Sequence, residues 1–296
     1  NWTANIVGTY GTPPTSLLTY LTAAAKLDAE ATPRDGSRAV VIEPFTSATI
    51  VDSLKGLFVP NDKLSSQFKR GMMGRDSGGM DWMMDQNVNT QTTGAWAAGS
   101  AGTLTVNTTT FTGSISSGWA RTGTITLTFS ATVTLKKGDI FTIAGVYPVN
   151  PQNRAVYGTQ LKTFVVQEDF SGTGSSTGTL TFAPAIITGG QFQNCSVVGS
   201  TSTTAAVTPY SIGVSTVGVN SPQNILFHKN AYTCVMVDLP LVSGVDMAAR
   251  ASSSEAGMSI RVVRQYTINN DQLPTRFDVL FGWAPLYPSN ACRIAG

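Results

Sequence analysis

Apolar and polar positions follow three successive rhythms along the 296-residue chain. In the first, Leu17, Leu18, Leu21, Ala24, Ala25 and Leu27 recur at helical spacing between Pro13 and Pro33. Thr12 is placed to cap that helix, Pro13 suits its first position because its missing N–H is not needed there, and Pro33 ends it. "RAVVIEP" then predicts a short strand, and Ile50, Leu54 and Leu57 share one face of a second helix in "TSATIVDSLKGLF". A third helix, capped by Asn61 or Asp62, is expected in "NDKLSSQFKRGMMG".

From about Gly94 the period drops to two. In "GTITLTF" the apolar Ile125, Leu127 and Phe129 alternate with threonines, and "LKTFVVQ" and "GTLTFAPAI" continue in the same style between Gly/Ser turns. Short strands at this spacing predict a small antiparallel barrel or sandwich. After "VNSPQN" the strands lengthen: Tyr232, Cys234 and Met236 are expected to pack on one face, "MSIRVVRQYTI" follows, and "TRFDVLFGW" comes after the "NNDQLP" turn. In that last stretch Phe277, Val279, Phe281 and Trp283 are assigned to one face of a single strand, with Arg276 and Asp278 on the other. The economical reading is an α+β protein in which residues 1–95 and 223–296 form one domain and 96–222 are a β-domain inserted into it. Insertion at an exposed loop is well tolerated.

Composition narrows the function. Charged residues are only 12% of the chain and the net charge is +2, with no basic block interleaved with aromatics, so nucleic-acid binding is not expected as the main task. No apolar run approaches the roughly 20 residues of a membrane helix, and no signal pattern opens the chain. Three widely spaced cysteines, Cys195, Cys234 and Cys292, suggest neither a disulfide framework nor a zinc site, and reduced, cytoplasmic synthesis is expected. Because the sequence opens at Asn1 rather than methionine, an N-terminal segment is expected to have been removed.

Catalytic constellations are weak. His228 is the only histidine, which excludes metal sites needing two. A G-x-S-x-G match at Gly174–Gly178 has the form of a hydrolase nucleophile elbow, but residues 179–227 contain no Asp or Glu to stand between Ser and His. It also lies in a turn-rich "SGTGSSTG", where a hairpin loop is the better reading. Asp76, Asp81 and Asp85 lack Ca-loop spacing and are assigned to the solvated side of a loop whose Met80, Met83 and Met84 pack. Cys234, six residues along a strand from His228, would lie about 20 Å away, too far for a Cys–His pair. Arg250, Arg261, Arg264 and Arg276, set against Asp246, Glu255, Asp271 and Asp278, fit cross-strand pairs or subunit contacts better than a phosphate clamp. No cofactor is indicated. His228 and Lys229, at a domain junction, could touch a neighbouring subunit and give assembly a pH dependence near neutrality.

Four stretches, "SRAVVIEPFTSATIVDSLKGLF", "FKRGMMGRDSGGMDWMMDQNV", "NILFHKNAYTCVMVDLPL" and "SIRVVRQYTINNDQLPTRFDVLFGW" with the closing "ACRIAG", resemble in order the major capsid (coat) proteins of P-22-type tailed bacteriophages. "ATVTLKKGDIFTIAGV" looks like the start of that family's inserted β-barrel, where a Lys/Arg-Gly-Asp turn precedes the "F-x-I-A-G-V" strand. The resemblance implies the Hong Kong 97 capsid fold, with residues 1–95 and 223–296 as peripheral and axial capsid domains and 96–222 as the inserted barrel. It implies no enzyme. The expected role is self-assembly into pentamers and hexamers of an icosahedral head, with a scaffolding protein and a portal as partners, non-specific contact with packaged double-stranded DNA, and no membrane. By the same resemblance the N-terminal arm, the extended loop and the start of the spine helix would precede Asn1. The loop "TGSISSGWARTG", residues 112–123, occupies the place of the family's intercapsomer loop, making Trp119 and Arg121 candidate contacts. The subunit-contact charges would be Arg250, Arg261, Arg264, Arg276 and Asp278. The competing reading is a β-rich adhesin, carbohydrate-binding, decoration or tail protein, suggested by exposed threonine and by Trp96 or Trp119.

Overall fold

In the computed structural model, residues 3–54, 78–96, 105–106, 114–115, 118–129, 132–172, 176–198, 205–210, 218–253 and 257–296 are described. The predicted third helix and Asp76 lie outside them. Residues Tyr232–Leu286 form one compact unit, and Trp2–Ala231 with Tyr287–Gly296 form the other.

In the larger unit, a mixed sheet runs in the order Ile6–Gly8, Ala291–Ala295, Asn220–His228, Arg38–Ile42, Asp81–Met84, with Thr90–Thr92 pairing the start of Asn220–His228. The first and last pairs are parallel and the central ones antiparallel. Helix α1, Leu17–Ala29, and helix α2, Pro44–Leu54, are the two α-helices among the described residues. Ile42, Ile50, Leu27, Tyr20 and Trp82 join Cys292 and Ile294 in one core cluster, with Tyr20 and Trp82 ring centroids 4.9 Å apart. Every residue of Ala291–Ala295 is buried. Alternation along this strand sends Cys292 and Ile294 into the helix-side core and Ala295 into a second core cluster shared with Ile125, Leu127 and Phe164.

Two helical details differ from the sequence pattern. The N-cap of α1 is Ser16, whose hydroxyl accepts from the Leu18 N–H, while Thr12 bridges Thr9. The buried stripe is Tyr20, Ala23, Ala24 and Leu27, leaving Leu18, Leu21 and Ala25 exposed. A run so rich in Leu and Ala can present several faces, and the aromatic Tyr20, tilted against Trp82, selects among them. In the predicted methionine cluster Met80 is buried, but Met83 and Met84 are about half exposed on the edge strand Asp81–Met84.

The larger unit also contains an antiparallel six-stranded sheet ordered Val207–Pro209, Ile140–Ile143, Thr163–Val166, Ser176–Ala183, Gly123–Phe129, Thr105–Val106. Ile125, Leu127 and Phe129 are buried and Thr124, Thr126 and Thr128 point away, in register with Thr181, Thr179 and Thr177. Phe141, Phe164 and Phe182 form a ring trio with centroids 5.3 to 5.9 Å apart. Of the G-x-S-x-G stretch, Gly174 and Ser175 lie outside the described residues, and Ser176–Gly178 begin the strand Ser176–Ala183.

In the smaller unit, Tyr232–Met236 pairs Phe281–Pro285, and Met247–Ser253, Met258–Arg264 and Thr275–Asp278 form a three-stranded sheet. The predicted single strand over 275–283 is thus broken at Val279–Leu280, and its halves join different sheets.

Candidate assembly surfaces

Trp119 and Arg121 lie on the stretch leading into Gly123–Phe129, both exposed; the Trp119 side chain is 66% accessible. Their loop partners 112–113 and 116–117 lie outside the described residues.

The smaller unit carries the other candidates, and each of its arginines meets an aspartate of the same unit. Arg261 faces Asp278 across the strand register, its Nη2 2.6 Å from Oδ2, and Arg276 Nε donates to Asp278 Oδ1 at 2.5 Å. The guanidinium of Arg276, and then that of Arg261, hold the Asp278 carboxyl below the usual carboxylate range. Arg264 Nε donates to Asp246 at 2.9 Å, and Arg250 lies 3.7 Å from Asp238. The apolar side chains behave differently. Phe277 is 71% and Trp283 69% exposed, and Val235, Ile260, Leu273, Phe281 and Leu286 are also exposed. Cys234, expected to pack, is exposed as well.

His228 is not a surface residue. It ends the strand Asn220–His228, fully buried, and its Nδ1 accepts the Asn230 N–H at 3.2 Å. The ring proton therefore sits on Nε2 and is donated to Asp35 Oδ1 at 3.0 Å. Lys229 reaches the other oxygen at 3.1 Å; Lys229 first, then the Ser37 N–H and His228, hold the Asp35 carboxyl well below its ordinary range. The imidazole closes a turn; its burial removes it from contact with a neighbour.

A buried polar junction escaped the sequence reading. Arg293, 3% exposed, donates from Nη1 to Gln91 Oε1 at 2.8 Å and to Gln223 Oε1 at 3.4 Å, and from Nη2 to the Gly138 carbonyl at 2.8 Å. Gln91 Nε2 donates to Asp139 Oδ1 at 2.9 Å. The other oxygen of Asp139 accepts from the Gly94 and Lys136 backbone N–H groups, both at 2.9 Å, and from the Trp96 indole at 3.4 Å. Burial pushes the Asp139 carboxyl up, opposed by these N–H groups and by Arg293. Burial likewise pushes the neighbouring Tyr10 phenol up to about 12, with Arg293 opposing. The signal available in sequence was the Lys-Gly-Asp turn, residues 137–139, which supplies both Gly138 and Asp139.

Among the described residues no group of three or more His, Cys, Asp or Glu side chains could hold a metal ion, and no helix is long and apolar enough to cross a membrane. Comparison with curated proteins returned no match. The family described as P22 coat protein, gene protein 5, matches residues 23–294, a span that takes in parts of both units. The chain therefore belongs to the P22 coat protein family, a structural protein of the bacteriophage virion whose place is the capsid.

Proposed function

We propose that the chain is the major capsid protein of a tailed bacteriophage, self-assembling into pentamers and hexamers of an icosahedral head around double-stranded DNA. Scaffolding protein and portal are its partners during assembly, and contact with the DNA is non-specific. The fold is of the Hong Kong 97 kind, with residues 1–95 and 223–296 supplying the capsid domains and 96–222 an inserted β-barrel. Synthesis in the reducing host cytoplasm suits three unpaired thiols. One observation supports the reading beyond family membership: among the described residues of 232–286, large apolar side chains such as Phe277, Phe281 and Trp283 are exposed, while the four arginines each pair with an aspartate of the same unit. Large apolar side chains exposed in this number suit a surface that a shell covers.

Electron microscopy of the purified full-length protein tests this directly, with closed shells or capsomers as the expected outcome. A monomer retained on a glycan column would favour the adhesin reading instead. Trp119 and Arg121 are proposed as contacts across a local two-fold, so replacing both with alanine is expected to slow shell formation in vitro. Unchanged assembly by that double variant rules the contact out.

A further inference from the structure

The insertion and the sheet beneath it share an apolar core, in which Ile6, Tyr10 and Ala295 pack with residues of the insertion. Apolar burial is non-directional and by itself tolerates more than one placement. The polar junction does not. Arg293 stands on a strand of the first sheet, Gln91 on the ribbon that enters the insertion, and Asp139 in a turn within it. We propose that Arg293, Gln91 and Asp139 form a buried key that admits one placement of the insertion on the sheet.

The chemistry of the relay fixes its sense. The Gln91 amide turns its oxygen to the guanidinium and its nitrogen to the carboxylate. A flipped amide would set N–H against a cation and C=O against an anion, so the flanking charges hold it in one orientation. Arg293 also grips the Gly138 carbonyl, one residue from Asp139, so the cation engages the same turn twice. A slip of the insertion by one residue would leave a cation and an anion buried without these partners, a strongly unfavourable state. The neck is tied in the same region: Thr93 N–H donates to Val219 C=O at 3.0 Å, and Val219 N–H to the Thr93 hydroxyl at 2.9 Å. The key thus supplies specificity of placement. It is a property of the folded chain and stands independently of the assembly contacts proposed above.

The test is a mutant cycle on the full-length chain. Arg293→Met, Asp139→Asn and the double variant are made in the parent and again in the Gln91→Met background, and urea unfolding is measured for each. A relay predicts coupling between Arg293 and Asp139 of about fivefold or more in the unfolding constant in the parent, falling below about twofold in the Gln91→Met background. Additive effects in the parent, or equal coupling in both backgrounds, overturn the proposal. Where Arg293→Met does not fold, Arg293→Lys takes its place, because it keeps the charge and loses the fork. Native-state hydrogen exchange adds a second reading. In Asp139→Asn the Gly94 amide and Trp96 indole protons should exchange about tenfold faster or more, with amides of Gly123–Phe129 unchanged. Uniform acceleration across both sheets means that the carboxylate only adds global stability, which also overturns the key.

Discussion

Gly94 follows the strand Thr90–Thr92, between the two sheets of the larger unit, and the space around it sets a severe test of that neck. A Cβ added there would lie 2.1 Å from the Thr134 carbonyl oxygen, 2.8 Å from its carbon and 2.9 Å from Asp139 Oδ2. Two of these atoms are backbone, on a segment pinned by the Thr134 N–H to the Ala95 carbonyl at 3.1 Å, so neither can swing aside cheaply. Overpacking of this kind costs about 1–3 kcal/mol. Moving residue 94 also stretches its N–H bond to the Asp139 carboxylate, and a hydrogen bond to a charged group contributes about 1.5–3 kcal/mol. Stiffening of the unfolded chain returns only about 0.4–1 kcal/mol. Gly94→Ala should therefore destabilise the protein by about 3 kcal/mol, roughly a hundredfold in the unfolding constant. Gly282→Ala is the control, since nothing lies within 4 Å of its added Cβ, and it should stay within about 0.5 kcal/mol of the parent. Urea denaturation followed by tryptophan fluorescence reads both, with the m-value checking that the unfolding transition is comparable. A Gly94→Ala chain within about 0.5 kcal/mol of the parent, or a Gly282→Ala chain as damaged as Gly94→Ala, would refute the account of the neck.

Other expectations follow from the same geometry. Phe182→Ala empties one corner of the trio with Phe141 and Phe164 and should cost about 3–5 kcal/mol in urea denaturation. Because the Asp278 pKa is depressed in the folded chain, its contribution is present above the ordinary carboxylate range and is lost as pH falls through the depressed value. Melting temperatures between about pH 5 and pH 2 should therefore fall less steeply for Asp278→Asn than for the parent. Identical slopes would mean that the Arg276 and Arg261 pairs carry no folding linkage. His228→Gln should lower stability by about 1–3 kcal/mol, because the buried ring both donates to Asp35 and accepts from Asn230. A neutral result by thermal melting would show that neither bond matters.

Elements with one clean period were legible in the sequence. "RAVVI" was a strand in the pattern and is one in the fold, and Ile125, Leu127 and Phe129 alternate inward as their spacing requires. The face of α1 was less legible, because Leu17, Leu18, Leu21 and the alanines allow several stripes and only the Tyr20–Trp82 pairing, 62 residues apart in sequence, chooses one. The break at Val279–Leu280 was hidden for a similar reason: period two continues straight through it, and only the change of partner strand shows that two strands are present. His228 drew attention by rarity, whereas its role depended on Asp35, far away in sequence and adjacent in the fold. Arg293, within the otherwise uncharged "ACRIA", gave no local sign that its acceptors were Gln91 and Gly138.

The chain treats charge in two ways. In the larger unit Arg293 is buried and spends its donors on fixed acceptors, and Asp139 is surrounded by N–H groups, so neither presents reactive chemistry to a substrate. In the smaller unit the arginines meet Asp278, Asp246 and Asp238, which leaves large apolar side chains such as Phe277, Phe281 and Trp283 exposed with surface still to bury. Exposed salt bridges contribute about 0–1 kcal/mol each, while burying one large apolar side chain contributes about 1.5–3 kcal/mol. The free energy available to this unit for association is therefore mostly apolar. Its paired charges are better suited to restricting which surfaces can meet, because a partner that breaks an ion pair leaves charges unsatisfied and is rejected. On the capsid reading proposed above, exposed apolar side chains hold neighbouring copies together while these ion pairs exclude the wrong arrangements.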